Sequence, residues 1–361
     1  MKCLVLISGA LLLAGPCSAR AQDAANAEES PFKTRYSISV IDDATFYGNL
    51  RAPLPTVLNQ VLVEPSFGLH YQQRLSFSTS LIGMTRTYFD NYSQLRVKET
   101  YASVSAGDFD FTAGRKMVRW GPGYAFTAVG VLDPPRNPTD PADRLNLNEG
   151  RDMVKADWVR GPHALTAAWS TAALTPPSAN LHDTTAFRYN VLVHGFDTSL
   201  IAGDDRGGDA FGGLTFTRVL GEAWEIHGEA AWREHEAILL GGKYTTHSGI
   251  TFIGEFYTPP NIPYYQDVTI YPLVGRQHYV FFTAYKNRLR ELPGWKQWDL
   301  SAAAVANLND RSCTAIFDAT RRFGNHFSSY LHMEIPTGKA TSEYGSTPYS
   351  AATSVGVRFQ L

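Results

Sequence analysis

The sequence S-V-G-V-R-F-Q-L, residues 354–361, decides the fold. Apolar side chains at Val355, Val357, Phe359 and Leu361 alternate with polar or small ones. This period of two is typical of a strand that has one apolar and one polar face. Because a soluble domain usually ends in a frayed polar tail, alternation up to the last residue predicts a strand that is still paired within a sheet.

The N-terminus has the layout of a secretory signal peptide. Lys2 is positively charged, residues 4–15 form an apolar run, and Ala19-Arg20-Ala21 places small residues around a spacer. The run is shorter than the ~20 residues of a membrane-spanning helix. We therefore expect residues 1–21 to be cleaved during export. Residues 22–32, rich in Ala, Asp, Asn and Glu, are expected to form a short periplasmic lead-in.

Composition excludes some classes of protein. Only Cys313 would remain after cleavage, so an internal disulfide is excluded. The formal net charge of −2 offers no basic excess, and we therefore expect no nucleic-acid partner. Downstream of the signal, no stretch approaches the apolar length of a membrane helix. A secreted soluble protein and a transmembrane β-barrel both fit, because barrel strands alternate and never form a long apolar run.

Alternation recurs throughout residues 33–361. It predicts an all-β chain of about 18 strands, with 16 as the other count considered, each about as long as a tilted strand that crosses a bilayer. Every second connection is a tight turn such as Gly161-Pro162, whereas the others include 42–61, 120–150 and 259–276. This asymmetry favours a transmembrane antiparallel up-and-down β-barrel over residues 33–361, with both termini in the periplasm.

The last strand is expected to close the barrel. In lipid every backbone group needs an internal partner, so a sheet must close on itself. Ser354, Gly356, Phe359 and Leu361 resemble the C-terminal recognition signal of bacterial outer-membrane barrels, which usually ends in an aromatic residue rather than Leu. The resemblance implies outer-membrane lipids and the barrel assembly machinery as partners. An edge strand of a soluble sandwich is the alternative.

A long extracellular loop is predicted at 120–150. Five prolines between Pro122 and Pro141 rule out a regular strand there, and long irregular loops in compact folds are usually functional. We expect this loop to narrow a pore. The candidate constriction residues are Trp120, Arg136, Asp140, Asp143 and Arg144.

The same region carries a family resemblance. The motif Gly114-Arg-x-x-x-x-Trp-Gly121, preceded by Tyr101 and followed by Asn137-Pro138, resembles porin-like barrels of the alginate-export and related poorly characterised families. Residues 241–257 and 307–312 fit the same pattern. The resemblance implies a Gram-negative outer-membrane barrel that handles a particular solute. In general porins the third loop, the position that 120–150 occupies here, folds into the lumen.

Strand parity predicts which charged side chains face the lumen. Cations outnumber anions among them, and rings of Arg and Lys favour anionic solutes. The alternative, that these charges pair and fill the interior, stays open. The predicted lumen-facing residues are Arg35, Arg96, Lys98, Lys116, Arg188, Glu225, His227, Glu229, Arg233, Lys243, Glu255 and Arg358.

These features predict a porin-like outer-membrane channel for passive, selective passage of small solutes, anionic ones among them. No cofactor, metal or catalysis is expected, and a homo-oligomer is left open. A plugged surface barrel that binds extracellular polysaccharide is the first alternative. An outer-membrane hydrolase is the second, since Glu225, His227 and Glu229 share one strand face, but no nucleophile motif accompanies them and a zinc site would need more ligands.

Overall fold

The computed structural model describes residues 31–51, 55–72, 74–87, 91–171, 183–205, 209–233, 236–259, 277–289 and 294–361. The predicted signal peptide and most of the lead-in lie outside these residues.

The described chain forms eighteen strands. They are β1 (Phe32–Gly48), β2 (Val57–Tyr71), β3 (Leu75–Thr87), β4 (Asn91–Ala106), β5 (Phe109–Lys116), β6 (Arg151–Arg160), β7 (His163–Ser170), β8 (Thr184–Val193), β9 (Phe196–Asp205), β10 (Asp209–Leu220), β11 (Trp224–Trp232), β12 (Glu236–Thr245), β13 (Thr251–Thr258), β14 (Tyr279–Lys286), β15 (Trp298–Asn307), β16 (Ser312–Phe323), β17 (Phe327–Thr337) and β18 (Ala351–Gln360).

The sheet closes into a barrel. Each strand pairs antiparallel with its neighbours in the chain, and β1 pairs with both β2 and β18. Val40 lies opposite Phe359, and Ile41 lies opposite Arg358. Since no edge strand remains, the backbone groups of the sheet are satisfied internally. The predicted up-and-down antiparallel barrel of about 18 strands is confirmed.

The two ends of the barrel differ. The start of β1 and the finish of β18 lie at one end, called here the terminal end, with tight turns such as Gly107-Asp108 and His194-Gly195. The opposite end, called here the loop end, carries the connections 117–150 and 338–350. The first connection there is 49–56, so the predicted loop 42–61 is too long. Asp43, which the predicted loop includes, is a fully buried inward residue of β1.

Alternate residues face opposite sides of the wall. In β14, Phe281 points inward and is fully buried, whereas its neighbour Phe282 points outward and is 50% exposed. The same alternation gives the barrel an exterior rich in exposed Phe, Leu, Val, Tyr and Trp, the surface that a lipid-facing barrel needs. None of the described residues belongs to a helix with the length and apolarity needed to cross a membrane.

Candidate pore constriction

The connection between β5 and β6, residues 117–150 and called here the inner loop, lies inside the barrel. Its backbone is hydrogen-bonded to β11 and β13 on one side of the wall. Its far part is bonded to β1, β2 and β4 on another side. The loop therefore crosses the lumen between two anchors.

Glu229 of β11 is the centre of the first anchor. Its carboxylate is 3% exposed and accepts hydrogen bonds from one short stretch of the inner loop. The donors are the backbone N–H groups of Gly123 at 2.8 Å, Ala128 at 2.6 Å and Val129 at 3.1 Å, and the hydroxyl of Thr127 at 2.9 Å. Strand parity aims Glu229 inward, and the prolines and glycines of the loop let its backbone curl around one carboxylate.

Glu255 of β13 supplies the second carboxylate of this anchor. It accepts hydrogen bonds from the backbone N–H groups of Tyr124, Ala125 and Phe126, the Ala125 bond being 2.9 Å long. His227 lies 3.0 Å from Glu255 through its Nε2 and is only 3% exposed. The predicted face of Glu225, His227 and Glu229 thus lies partly beneath the loop rather than open to the lumen.

Apolar packing supplements these hydrogen bonds. Trp120, Val129 and Leu132 of the inner loop are buried against Ala186 and Ile201 of the wall. A second cluster joins the loop to β13, β14, β15 and β16, with Phe126 stacked at 4.8 Å on the ring of Tyr257. The inner loop therefore has an apolar core of its own inside the barrel.

Arg136 links two parts of the inner loop to each other. Its guanidinium donates to the carbonyl of Gly121 at 2.8 Å and to Asp133 at 3.3 Å, and Asp133 also accepts the backbone N–H of Trp120 at 2.8 Å. Burial raises the pKa of Asp133, while the bonds from Trp120 and Arg136 act in the opposite direction. Two of the five predicted constriction residues are thus engaged: Arg136 has its guanidinium bonded within the loop, and Trp120 has its backbone N–H bonded there while its ring packs against the wall.

Arg144 is the centre of the far anchor. Its guanidinium lies 2.6 Å from the carboxylate of Asp43, which is fully buried and also accepts the hydroxyl of Tyr330 at 2.7 Å. Arg144 contacts Ser354 of β18 at 3.4 Å, and its carbonyl accepts a hydrogen bond from Arg358. The loop is therefore fastened at the place where β1 and β18 close the barrel.

Asp140 and Asp143 shape the same stretch of loop. Asp140 accepts the backbone N–H of Arg144 at 3.0 Å, and Asp143 accepts those of Leu147 at 2.8 Å and Asn148 at 2.9 Å. Burial raises the pKa of Asp140 above its ordinary value, opposed by the N–H bond and charge of Arg144. Neither aspartate lies in an ion pair with another described residue under 4 Å.

Next to Asp143, Asn146 continues the anchor onto β2 and β4. Its side-chain amide donates to Glu64 at 2.6 Å, and its carbonyl accepts from Lys98 at 3.0 Å. Lys98 and Glu64 also pair at 3.2 Å. A register shift opposite Ser80 and Leu81 lets Lys98 and its neighbour Glu99 both face inward, where Glu99 accepts the backbone N–H of Met117.

Cavities lie on both sides of this anchor. A cavity of about 480 Å³ at the terminal end is lined by residues including Tyr285, Asp299 and Ser328, and another of about 320 Å³ at the loop end by Arg119 and Glu334. Four residues line both of them, namely Asp140, Pro141, Asp143 and Arg144. This short segment is therefore the partition between the two cavities.

The structure places the predicted lumen residues on the inward side of the wall. Several are paired: Arg96 with Glu149 at 2.6 Å, and Lys243 with Glu225 at 3.6 Å. Others lie over aromatic rings, or bond neutral groups. These are Lys116 over Tyr101 at 4.4 Å, Arg233 over Phe211 at 5.3 Å and Arg188 to Ser199 at 2.9 Å.

The set of lumen residues predicted from the sequence leaves out several acidic residues of the inner wall. The predicted loop 42–61 includes Asp43, and the predicted lumen set omits Glu64, Asp157, Asp318 and Glu334, although strand parity places all five inward. The cation excess that favoured anionic solutes is thus not a property of the described wall. Counting every charged residue at inward parity, rather than selected ones, would have found most of these acids.

The residues of the C-terminal signal have defined places in the barrel. Ser354 is buried and shares a 2.7 Å hydrogen bond with Thr45, and a Cβ on Gly356 would lie 2.3 Å from the Tyr330 ring. Phe359 packs on Phe327 at 5.8 Å. Leu361 is 57% exposed and pairs by its backbone with β1. Their role as an assembly signal stays a prediction.

Comparison with known proteins yields similarity of fold. No family model matches the chain, and no curated protein matches it in sequence. Three solved structures from Pseudomonas aeruginosa have the same architecture at 10% identity, and each match covers 91% of this chain. They are OpdQ with a TM-score of 0.62 and 97% of its own chain covered, OccK5 (OpdH) with 0.61 and 98%, and OprD with 0.60 and 95%. The chain therefore has the fold of an outer-membrane porin-like barrel.

Proposed function

We propose that the protein is an outer-membrane channel for the passive passage of small solutes, and that the inner loop forms its constriction. One observation carries this proposal: the segment 140–144 lies between two lumen cavities, of about 480 Å³ and 320 Å³, and borders both. A loop tied to the wall at Glu229 and Asp43 would set the size of the passage. The OprD and Occ structural neighbours are outer-membrane channels, which supports the proposal.

The outer membrane is the proposed location. The closed sheet and its apolar exterior suit a bilayer, where unpaired backbone groups and lipid-facing charges are costly. Export by the predicted signal peptide and insertion by the barrel assembly machinery belong to the same proposal. Lipids and small solutes would then be the partners.

Transport is proposed rather than catalysis. The hydrolase alternative required His227 to act on a substrate, and His227 is 3% exposed beneath the inner loop. Its neighbours Glu229 and Glu255 are occupied by backbone N–H groups of the loop. A general base must come within hydrogen-bond reach of the proton it abstracts, and this burial argues against that role.

Single-channel recording tests the proposal. The refolded protein should conduct in planar bilayers, and deletion of residues 128–145 should raise its conductance because the partition and its far anchor are removed. Folding of each protein is checked by its heat-modifiable migration in gels. A folded deletion variant with unchanged conductance would contradict the constriction, and folded barrels that are silent with and without the loop would favour the plugged surface barrel.

A further inference from the structure

We infer that the 480 Å³ cavity at the terminal end, called here the vestibule, binds neutral polyhydroxylated solutes about the size of a monosaccharide. The inference rests on the proposed channel function, since the vestibule is reached through the lumen. Its volume is within the range of small-molecule sites, which span roughly 300–1,000 Å³.

Aromatic rings and hydroxyl groups share the vestibule lining. Tyr124 and Tyr285 line it as half-buried rings, whereas Phe281, whose ring lies 5.8 Å from that of Tyr124, and Tyr330 are buried in its wall. Five side-chain hydroxyls belong to the lining, from Thr139, Thr283, Ser301, Thr320 and Ser328, and those of Thr283 and Ser301 donate to Ala302 and Asp318. Apolar ring faces with a few convergent polar groups suit a solute that has carbon–hydrogen faces and a hydroxyl rim.

Three of the six charged residues that line the vestibule have a charged or ionisable partner, Arg144 being paired with Asp43. Asp299 pairs with Arg322 at 2.5 Å, and Asp318 lies 2.6 Å from His332, which also contacts Glu334 at 3.0 Å. A charged solute leaving water would find few unpaired countercharges, and burying an unpaired charge is costly. The wall therefore favours a neutral solute over an ion of either sign.

The remaining charged groups are engaged by neutral partners. Asp140 and Asp143 accept backbone N–H groups, and Arg358 donates to the carbonyl of Arg144. The Nε groups of Arg144 and Arg358, both vestibule residues, are buried with no hydrogen-bond partner among the described residues. Because both atoms are buried, a solute cannot reach them, and the charged groups of the vestibule are held by neutral partners rather than left open to an ion.

A matched set of sugars tests the inference. Glucose, glucosamine and glucuronate share one ring and differ in charge, and each is titrated against the single-channel current of the refolded protein. We expect glucose to block at a concentration at least about threefold below either charged sugar. Tighter block by glucosamine or glucuronate would overturn the inference.

Two aromatic residues of β14, three positions apart and on opposite faces of the wall, provide the variant and its control. Tyr285→Ala removes a ring from the vestibule and should weaken glucose block about three- to tenfold, the value of one aromatic contact. Phe282→Ala removes an outward ring, 50% exposed, and should leave the block unchanged. Equal block in the wild type and Tyr285→Ala would overturn the site.

Saturation-transfer NMR separates this inference from the channel proposal. A folded barrel without current that still binds glucose in detergent, and loses that binding in Tyr285→Ala, contradicts the channel and supports the site. A conducting barrel that glucose neither blocks nor binds supports the channel and overturns the site.

Discussion

Asp43 shows how much of the inner loop's position depends on one wall residue. It is fully buried, and its carboxylate accepts hydrogen bonds from Arg144 at 2.6 Å, Tyr330 at 2.7 Å and Gln60 at 3.1 Å. Its charge is tolerable only because these donors surround it. Removing one partner of a buried ion pair leaves the other charge uncompensated, which costs more than the pair contributes.

Arg144→Ala should therefore destabilise the barrel by about 3 kcal/mol. The free energy of unfolding is measured by tryptophan fluorescence during denaturant titration in detergent micelles. The control is Asp43→Asn with Arg144→Ala, which removes both charges. We expect the free energy of unfolding of the double variant to fall by clearly less than the sum of the losses in Arg144→Ala and Asp43→Asn alone. Strict additivity would show that the two side chains do not interact.

Gly114, the first residue of the family motif, is constrained by its backbone. Its φ is +119°, and a Cβ there would lie 2.3 Å from the carbonyl oxygen of Thr100. Gly114→Ala should cost roughly 2 kcal/mol through strain and steric overlap. Gly83→Ala in β3 is the control, because its Cβ would meet nothing closer than 3.8 Å. Equal unfolding free energies for the two variants would contradict this account.

At the scale of elements, the inner loop is an irregular segment that two carboxylates keep ordered. Each carboxylate accepts several backbone N–H groups, so Glu229 and Glu255 satisfy donors that a strand would have paired in a ladder. Hydrogen bonds to a charged acceptor contribute about 1.5–3 kcal/mol each. The anchor therefore fixes the loop more firmly than its turns could alone.

Glu229→Gln combined with Glu255→Gln should loosen the loop without changing side-chain size. An amide offers one acceptor oxygen, and its NH2 group would face the loop's N–H donors. We expect more frequent current fluctuations in single-channel records. The control, Glu225→Gln, alters a 30% exposed partner of Lys243 on the same strand face and should leave the fluctuations unchanged. Quiet records from a folded double variant would exclude this anchoring role.

The elements differ in how far sequence could predict them. Strands follow from a period of two, which is local, and so their number was predictable. The bond between Gly123 and Glu229 joins residues 106 apart, and an irregular loop has no periodicity that indicates its path. His227 and Glu229 therefore looked like a site open to the lumen. Likewise, the predicted loop 42–61 includes Asp43, because nothing local indicates its partner Arg144, which lies 101 residues away.

At the scale of the whole molecule, closure depends on the long strand β1. It runs for 17 residues and pairs with β2 along most of its length and with β18 from Ser39 to Gly48. The far anchor of the inner loop lies on β1 and β18 as well, at Asp43 and Ser354. The pairing of β1 with β18, called here the seam, therefore both closes the barrel and holds the far anchor of the inner loop.

Deletion of residues 359–361 tests the seam. It removes the pairings of Phe359 with Val40 and Gln360 with Ser39, and the two backbone bonds between Leu361 and Ile38, at 3.3 and 3.0 Å. These few hydrogen bonds contribute about 1 kcal/mol each, and their loss also leaves the terminal end of β1 unpaired on one side, as an edge strand is. We expect a large fall in the heat-modifiable, folded fraction after refolding.

Leu361→Ala keeps the backbone bonds and should fold nearly as well as the wild type. If the deletion variant folds as well as Leu361→Ala, the barrel closes without the end of β18, and the seam is held instead by the inward contacts of Asp43, Thr45 and Ser354.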